Sequence, residues 1–134
     1  MTQNVVAMDQ YRPAPPSAAK ELYEVGEIPP VGHVPKKMYA WAIRRERHGE
    51  PDTAMLSEVV DVPRLDSHDV LVMVMAAGVN YNGCWAALGK PISPFDVHKA
   101  EYHVAGSDAA GIVYAVGDKV KRFKVGDEVV VHCN

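Results

Sequence analysis

The doubled turn Val116-Gly117-Asp118 and Val125-Gly126-Asp127 constrains the fold more than any other part of this chain. The two copies start nine residues apart, with Ala110–Val116 running into the first and Glu128–His132 following the second. Both flanking runs are rich in β-branched residues and read as strands. Glycine at each turn permits positive φ, and each aspartate can bond its own turn. Val120 and Phe123, between the turns, read as apolar anchors. Short strands joined by closely spaced turns, with few helices, point to a small β-barrel.

The rest of the chain fits the same class. Met38–Arg45 and Met55–Val62 are strand candidates, joined by a loop over 46–52. Residues 65–69 form a turn, and Val70–Ala76 is a continuous apolar run expected of a strand buried on both faces. Asn82–Leu88 predicts a short helix stopped by Gly89-Lys90-Pro91. Pro91–Tyr102 lacks periodicity and reads as a long loop, a length often kept for function. Residues 1–37 are different in character. The stretch Tyr11–Pro16 is proline-rich, Ser17 could cap a short helix over Ala18–Tyr23 ending near Gly26, and Ile28-Pro29-Pro30 and Val34-Pro35 return the chain to extended form. This gives an N-terminal arm over 1–37 and one domain over 38–134.

Composition narrows the function. A chain of 134 residues with 48% hydrophobic content suits a single domain with a real core. The net charge of -3, from 14 basic and 17 acidic residues, gives no support for nucleic-acid binding. The basic run Lys119–Lys124 is flanked by Asp118 and Asp127 and reads as a solvated turn face rather than a patch for an anionic ligand. Two cysteines, Cys84 and Cys133, make no disulfide framework. The polar start Met1-Thr2-Gln3-Asn4 carries no signal-peptide pattern. The longest apolar run, Val70–Val79, falls well short of the ~20 residues that cross a bilayer. The expectation is a cytoplasmic protein with no membrane partner.

The residues with chemical potential follow the buried run. Asn80, Tyr81 and Asn82 stand at a strand end, where a scaffold can hold a side chain at the edge of a cleft. A carboxamide donates and accepts without charge, which suits a neutral polar molecule or a carbonyl oxygen. By residue type alone, Asn80 and Asn82 equally suit the commoner task of satisfying turn backbone, and Tyr81 reads as packed. Ser107 and Asp108 read as a cap or Asx-type turn before the next strand; no strand-turn-helix pattern supports a serine nucleophile. The six histidines form no metal-binding motif, and no metal is expected. Neither glycine-rich phosphate loop, G-x-G-x-x-G or G-x-x-x-x-G-K-[ST], occurs.

Taken in order, Ala77–Asn82, Gly106–Gly111, Val116–Asp118 and Val125–Val129 resemble the landmarks of the N-terminal, GroES-like domain of the medium-chain dehydrogenase/reductase superfamily. The resemblance implies a mainly β fold, a partly open barrel with short helices and an extended arm. Zinc-dependent members carry Cys where Asn80 stands and Gly-His-Glu where Gly106-Ser107-Asp108 stands, so the resemblance is to the zinc-independent branch. Leu22–Pro30, Met38–Gly49, Tyr102–Asp108 and Val130–Cys133 are similar to the crotonyl-CoA carboxylase/reductases. That resemblance implies the N-terminal, substrate-side part of a homo-oligomeric NADPH-dependent enzyme that joins crotonyl-CoA and CO2 into ethylmalonyl-CoA. It implies that Asn82 helps position CO2, and that the Rossmann domain and the other CO2-binding residues (Phe, Glu and His) lie beyond Asn134. The alternatives are a non-carboxylating enoyl-CoA reductase, separated by those downstream residues, and a stand-alone GroES-like binding module. Barrels of this superfamily borrow later segments, so exposed strand edges are expected.

Overall fold

The structure, a computed structural model, describes residues 19–131. The proline-rich stretch over 11–16, the expected cap Ser17 and the end of the chain from His132 lie outside the described residues.

Among the described residues, six strands fall into two three-stranded antiparallel sheets. The first has the order β2-β1-β4, from β1 (Lys37–Ile43), β2 (Leu56–Asp61) and β4 (His103–Val104). The second has the order β3-β5-β6, from β3 (Val70–Ala76), β5 (Ala109–Val116) and β6 (Glu128–Val131). The described strands do not close into one ring, so the fold is mainly β and partly open, as expected. Strand β5, central in its sheet, carries the buried Val113 and Tyr114. The helices are short: α1 (Pro51–Ala54), α2 (Asn82–Leu88) and α3 (Pro94–Val97). Among the described residues, none is long and apolar enough to cross a membrane.

A core cluster of Ile43, Ala54, Ala87 and Phe95 joins the end of β1 to all three helices. At its edge, Glu58 on β2 holds two arginines. Arg44 Nη2 donates to it at 2.7 Å, and Arg47 Nη2 donates to its other oxygen. These guanidiniums hold the Glu58 carboxyl at about 2, far below its ordinary 4.5. Arg47 Nη2 also donates to the Ala42 carbonyl at 3.0 Å.

The structure revises several expectations. Residues 19–23 form no helix. Lys20 N–H donates locally to the Tyr23 hydroxyl at 2.9 Å, and the Glu21 carbonyl accepts the distant Lys37 N–H at 2.9 Å, so non-helical bonds, one of them long-range, engage the backbone of this segment instead. The arm is tied down further where the Tyr114 hydroxyl donates to the Pro29 carbonyl at 2.7 Å. The loop over 46–52 contains a 3-10 turn at Arg45–Arg47 and the start of α1, and the stretch from Pro91 contains α3. Strand β3 is not buried on both faces: Val74 and Met75 are half exposed, because no described element covers them. Phe123 is exposed beneath the Arg122 guanidinium rather than anchored. Gly126 adopts a φ of 94°, but Gly117 does not have positive φ. Gly117 is needed for closeness instead, since a Cβ there would lie 2.2 Å from the Asp66 carbonyl oxygen.

Candidate active site

The turn over 77–81 carries the chain from β3 into α2 and places three polar side chains in sequence. Asn80 bonds in two directions. Its Oδ1 accepts the Asn82 N–H at 3.0 Å, satisfying an amide that the first turn of a helix leaves without a partner. Its Nδ2 donates to Ser107 Oγ at 3.1 Å and to Asp108 Oδ2 at 3.0 Å, on the segment between β4 and β5. Gly78 makes room for this approach: a Cβ there would meet Asp108 Oδ2 at 2.7 Å.

The carboxamide of Asn82 is exposed at the first position of α2 and has no hydrogen bond among the described residues. The turn-satisfying role belongs to Asn80, and the Asn82 side chain is left for another use. Tyr81 is not packed in the core. It is 64% exposed and meets Trp85, itself 49% exposed, edge-on with ring centroids 5.6 Å apart. Asp108 caps no helix, since strand β5 begins at the next residue; its carboxylate accepts from Asn80 instead.

The far end of α2 is fixed by a second network that the sequence reading missed. Gly89 ends the helix with φ 64°. His48 Nδ1 lies 3.0 Å from the Ala87 carbonyl, which also accepts the Gly49 N–H at 3.0 Å. His48 Nε2 lies 2.8 Å from Ser93 Oγ, and that oxygen accepts the Phe95 N–H at 3.2 Å as the cap of α3. The Ser93-Pro94 pair was the available signal, a capping residue followed by proline at the first helical position.

His98 and His103 also come together, with His98 Nε2 3.1 Å from His103 Nδ1. Burial, and then the neighbouring His98, push the His103 imidazole below its ordinary 6.5. A surface cleft of about 330 Å³ beside them is lined by Arg45, Phe95, His98 and Glu101. It does not include Asn82. Among the described residues, no three His, Cys, Asp or Glu side chains are placed to hold a metal ion. Cys84, on α2, is a free half-buried thiol, and Cys133 lies outside the described residues. A second cleft of about 460 Å³ is lined by Gly78, Asp108, Ala110, Val130 and Val131.

Residues 66–134 match the alcohol dehydrogenase GroES-like domain, and the chain belongs to that family. Its relatives narrow the class. The chain is 77% identical over 115 residues to the crotonyl-CoA carboxylase/reductase of Cereibacter sphaeroides, a match covering 86% of this chain and 27% of that protein. A solved crotonyl-CoA carboxylase/reductase superposes with a TM-score of 0.83 at 72% identity, over 86% of this chain and 27% of the other. The crotonyl-CoA carboxylase/reductase AntE, solved in complex with NADP, superposes with a TM-score of 0.75 at 54% identity, over 84% of this chain and 29% of the other. The chain thus spans 27–29% of the length of these relatives. The resemblance read from the four short segments extends over most of the chain.

Proposed function

We propose that this chain is the N-terminal, substrate-side part of an NADPH-dependent reductive carboxylase converting crotonyl-CoA and CO2 to ethylmalonyl-CoA, with Asn82 positioning CO2. The observation that carries the reading is the exposed, unengaged Asn82 carboxamide, beside a backbone N–H that Asn80 already satisfies. The similarity to crotonyl-CoA carboxylase/reductases over 86% of the chain supports the reaction class.

NADPH, when bound, supplies hydride to the β-carbon of the enoyl thioester. The described residues of this chain do not fit its pyrophosphate. The one turn running from a strand into a helix of more than four residues has the Asp108 carboxylate against Gly78, where a phosphate-binding loop presents bare backbone N–H groups. The reading therefore places the cofactor on sequence outside this chain. The chain's own contribution is at the other reactant. The substrate α-carbon, carrying an electron pair, forms a C–C bond to CO2, and one C=O pair moves onto oxygen. An Asn82 Nδ2 donor aimed at that oxygen strengthens as the carboxylate charge develops. Water must be kept away, because it would protonate the same carbon.

The same reading makes the protein a cytoplasmic homo-oligomer of the ethylmalonyl-CoA pathway. It assigns no zinc, no nucleic-acid partner and no membrane, and divides the chain into an arm over 1–37 and a domain over 38–134. At the positions where zinc-dependent relatives carry ligands, Asn80 donates to both Ser107 and Asp108.

Asn82→Leu in the full-length enzyme tests the assignment. The expected result is a shift from carboxylated to simply reduced acyl-CoA, read by chromatography of the acyl-CoA products at fixed CO2. An unchanged product ratio removes Asn82 from the site.

A further inference from the structure

The hydrogen bonds around Asn80 admit one orientation of its amide. With oxygen and nitrogen exchanged, the amide oxygen would face the Asp108 carboxylate and the NH2 group would face the Asn82 N–H, two repulsive contacts in place of two bonds. The side chain therefore links two loops that are 28 residues apart. One end fixes the backbone from which the Asn82 side chain projects. The other is held by a charged acceptor, and such bonds are stronger than neutral ones. Gly78 contributes by leaving the space that Asp108 occupies.

We propose that Asn80 is a positioning residue for Asn82, held in place by Asp108. On this view the partition between carboxylation and simple reduction depends on a residue that touches neither substrate. The proposal rests on the reading of Asn82 as the CO2-positioning group. A polar group in an active site must be held closely to its productive geometry, and its supporting contacts set how well it performs. Releasing the Asn82 N–H from Asn80 lets the first turn of α2 fray, and the carboxamide then samples directions that miss CO2.

The test exchanges the pair in the full-length enzyme. Asn80→Asp sets two carboxylates against each other. Its ratio of carboxylated to reduced product is expected to fall by at least about threefold, with a higher apparent KM for CO2. The double variant Asn80→Asp/Asp108→Asn restores a carboxamide donor facing a carboxylate, and it keeps an acceptor for the Asn82 N–H. Its ratio is expected to return to within about twofold of wild type. Hydrogen exchange over residues 79–84 should quicken in the single variant and slow again in the double. A general loss of stability would lower both products together and leave their ratio unchanged. If Asn80→Asp does not fold, Asp108→Ala serves instead, since Asp108 is exposed and its removal leaves no cavity. It too must lower the ratio. An unchanged ratio in Asn80→Asp or Asp108→Ala, or a double variant no better than the single, overturns the proposal. If Asn82→Leu shifts the products and Asn80→Asp does not, the positioning role alone fails. If Asn82→Leu shifts nothing, the reading of Asn82 fails and the positioning role falls with it.

Discussion

Gly117 and Asp66 touch so closely that a Cβ on the glycine would stand 2.2 Å from the aspartate's carbonyl oxygen. The turn before β3 nests against the turn after β5, with Gly117 N–H donating to Asp69 O at 2.8 Å and Lys119 N–H to Ser67 O at 2.9 Å. The obstacle is backbone on both sides, so neither turn can yield cheaply. Gly117→Ala is expected to destabilise the fold by roughly 3 kcal/mol, at the upper end for overpacking. Urea unfolding followed by circular dichroism measures it, and a change below about 1 kcal/mol would contradict the packing.

The Glu58 carboxylate gives stability a dependence on acid. Its folded value of about 2 lies below its ordinary 4.5, so the unfolded chain binds the proton more readily. The stabilisation is complete above pH 4.5, declines as pH falls, and is gone below about 2. Glu58→Gln should flatten the melting temperature across that window. It should also lower it at neutral pH by on the order of 5 °C, since Arg44 and Arg47 then face each other without a counter-charge. Melts between pH 2.5 and 7 on both proteins decide it.

The histidine pair should act in a milder range. Ala100 N–H donates to His98 Nδ1 at 3.3 Å, so the His98 proton sits on Nε2 and points at His103 Nδ1. Protonating His103 sets two N–H groups against each other. Its lowered value means that its contribution is complete above 6.5 and is lost as pH drops below that. Melting temperature is expected to fall from pH 7 toward pH 5.5. His103→Gln should remove part of that slope, and an identical slope in the variant would refute the assignment.

Ser93 serves His48 and the start of α3 together. Ser93→Ala leaves the Phe95 N–H and His48 Nε2 without their partner in a buried place, at an expected cost of roughly 1–2 kcal/mol. Ser93→Thr, which keeps the hydroxyl, should recover part of it, provided its extra methyl is tolerated. Equilibrium unfolding of the two variants makes the comparison.

How far the sequence could be read depended on the range of the interaction. The helix Asn82–Leu88 and its glycine stop were legible because pattern and terminator are local. Strand β5 was legible for the same reason, and its burial followed from its central place. The apolar run of β3 predicted a covered strand, yet covering depends on what packs against it, and no described element does so at Val74 and Met75. The expected helix over 18–23 yielded, within its described part, to long-range bonds such as Lys37 to Glu21, which no local propensity encodes. The site divides along the same line. Asn82 could be singled out by type and place, but its support from Asp108 comes through a contact between distant loops. Gly117 was noticed as a turn residue for the wrong reason: its neighbour across space, rather than its φ, demands the missing side chain.

Among the described residues, strand β6 is an edge strand of its sheet, and Val130 there is 81% exposed. A β-rich margin of this kind recruits other chains. Recombinant production of these 134 residues by themselves should therefore yield inclusion bodies or oligomers that grow with concentration.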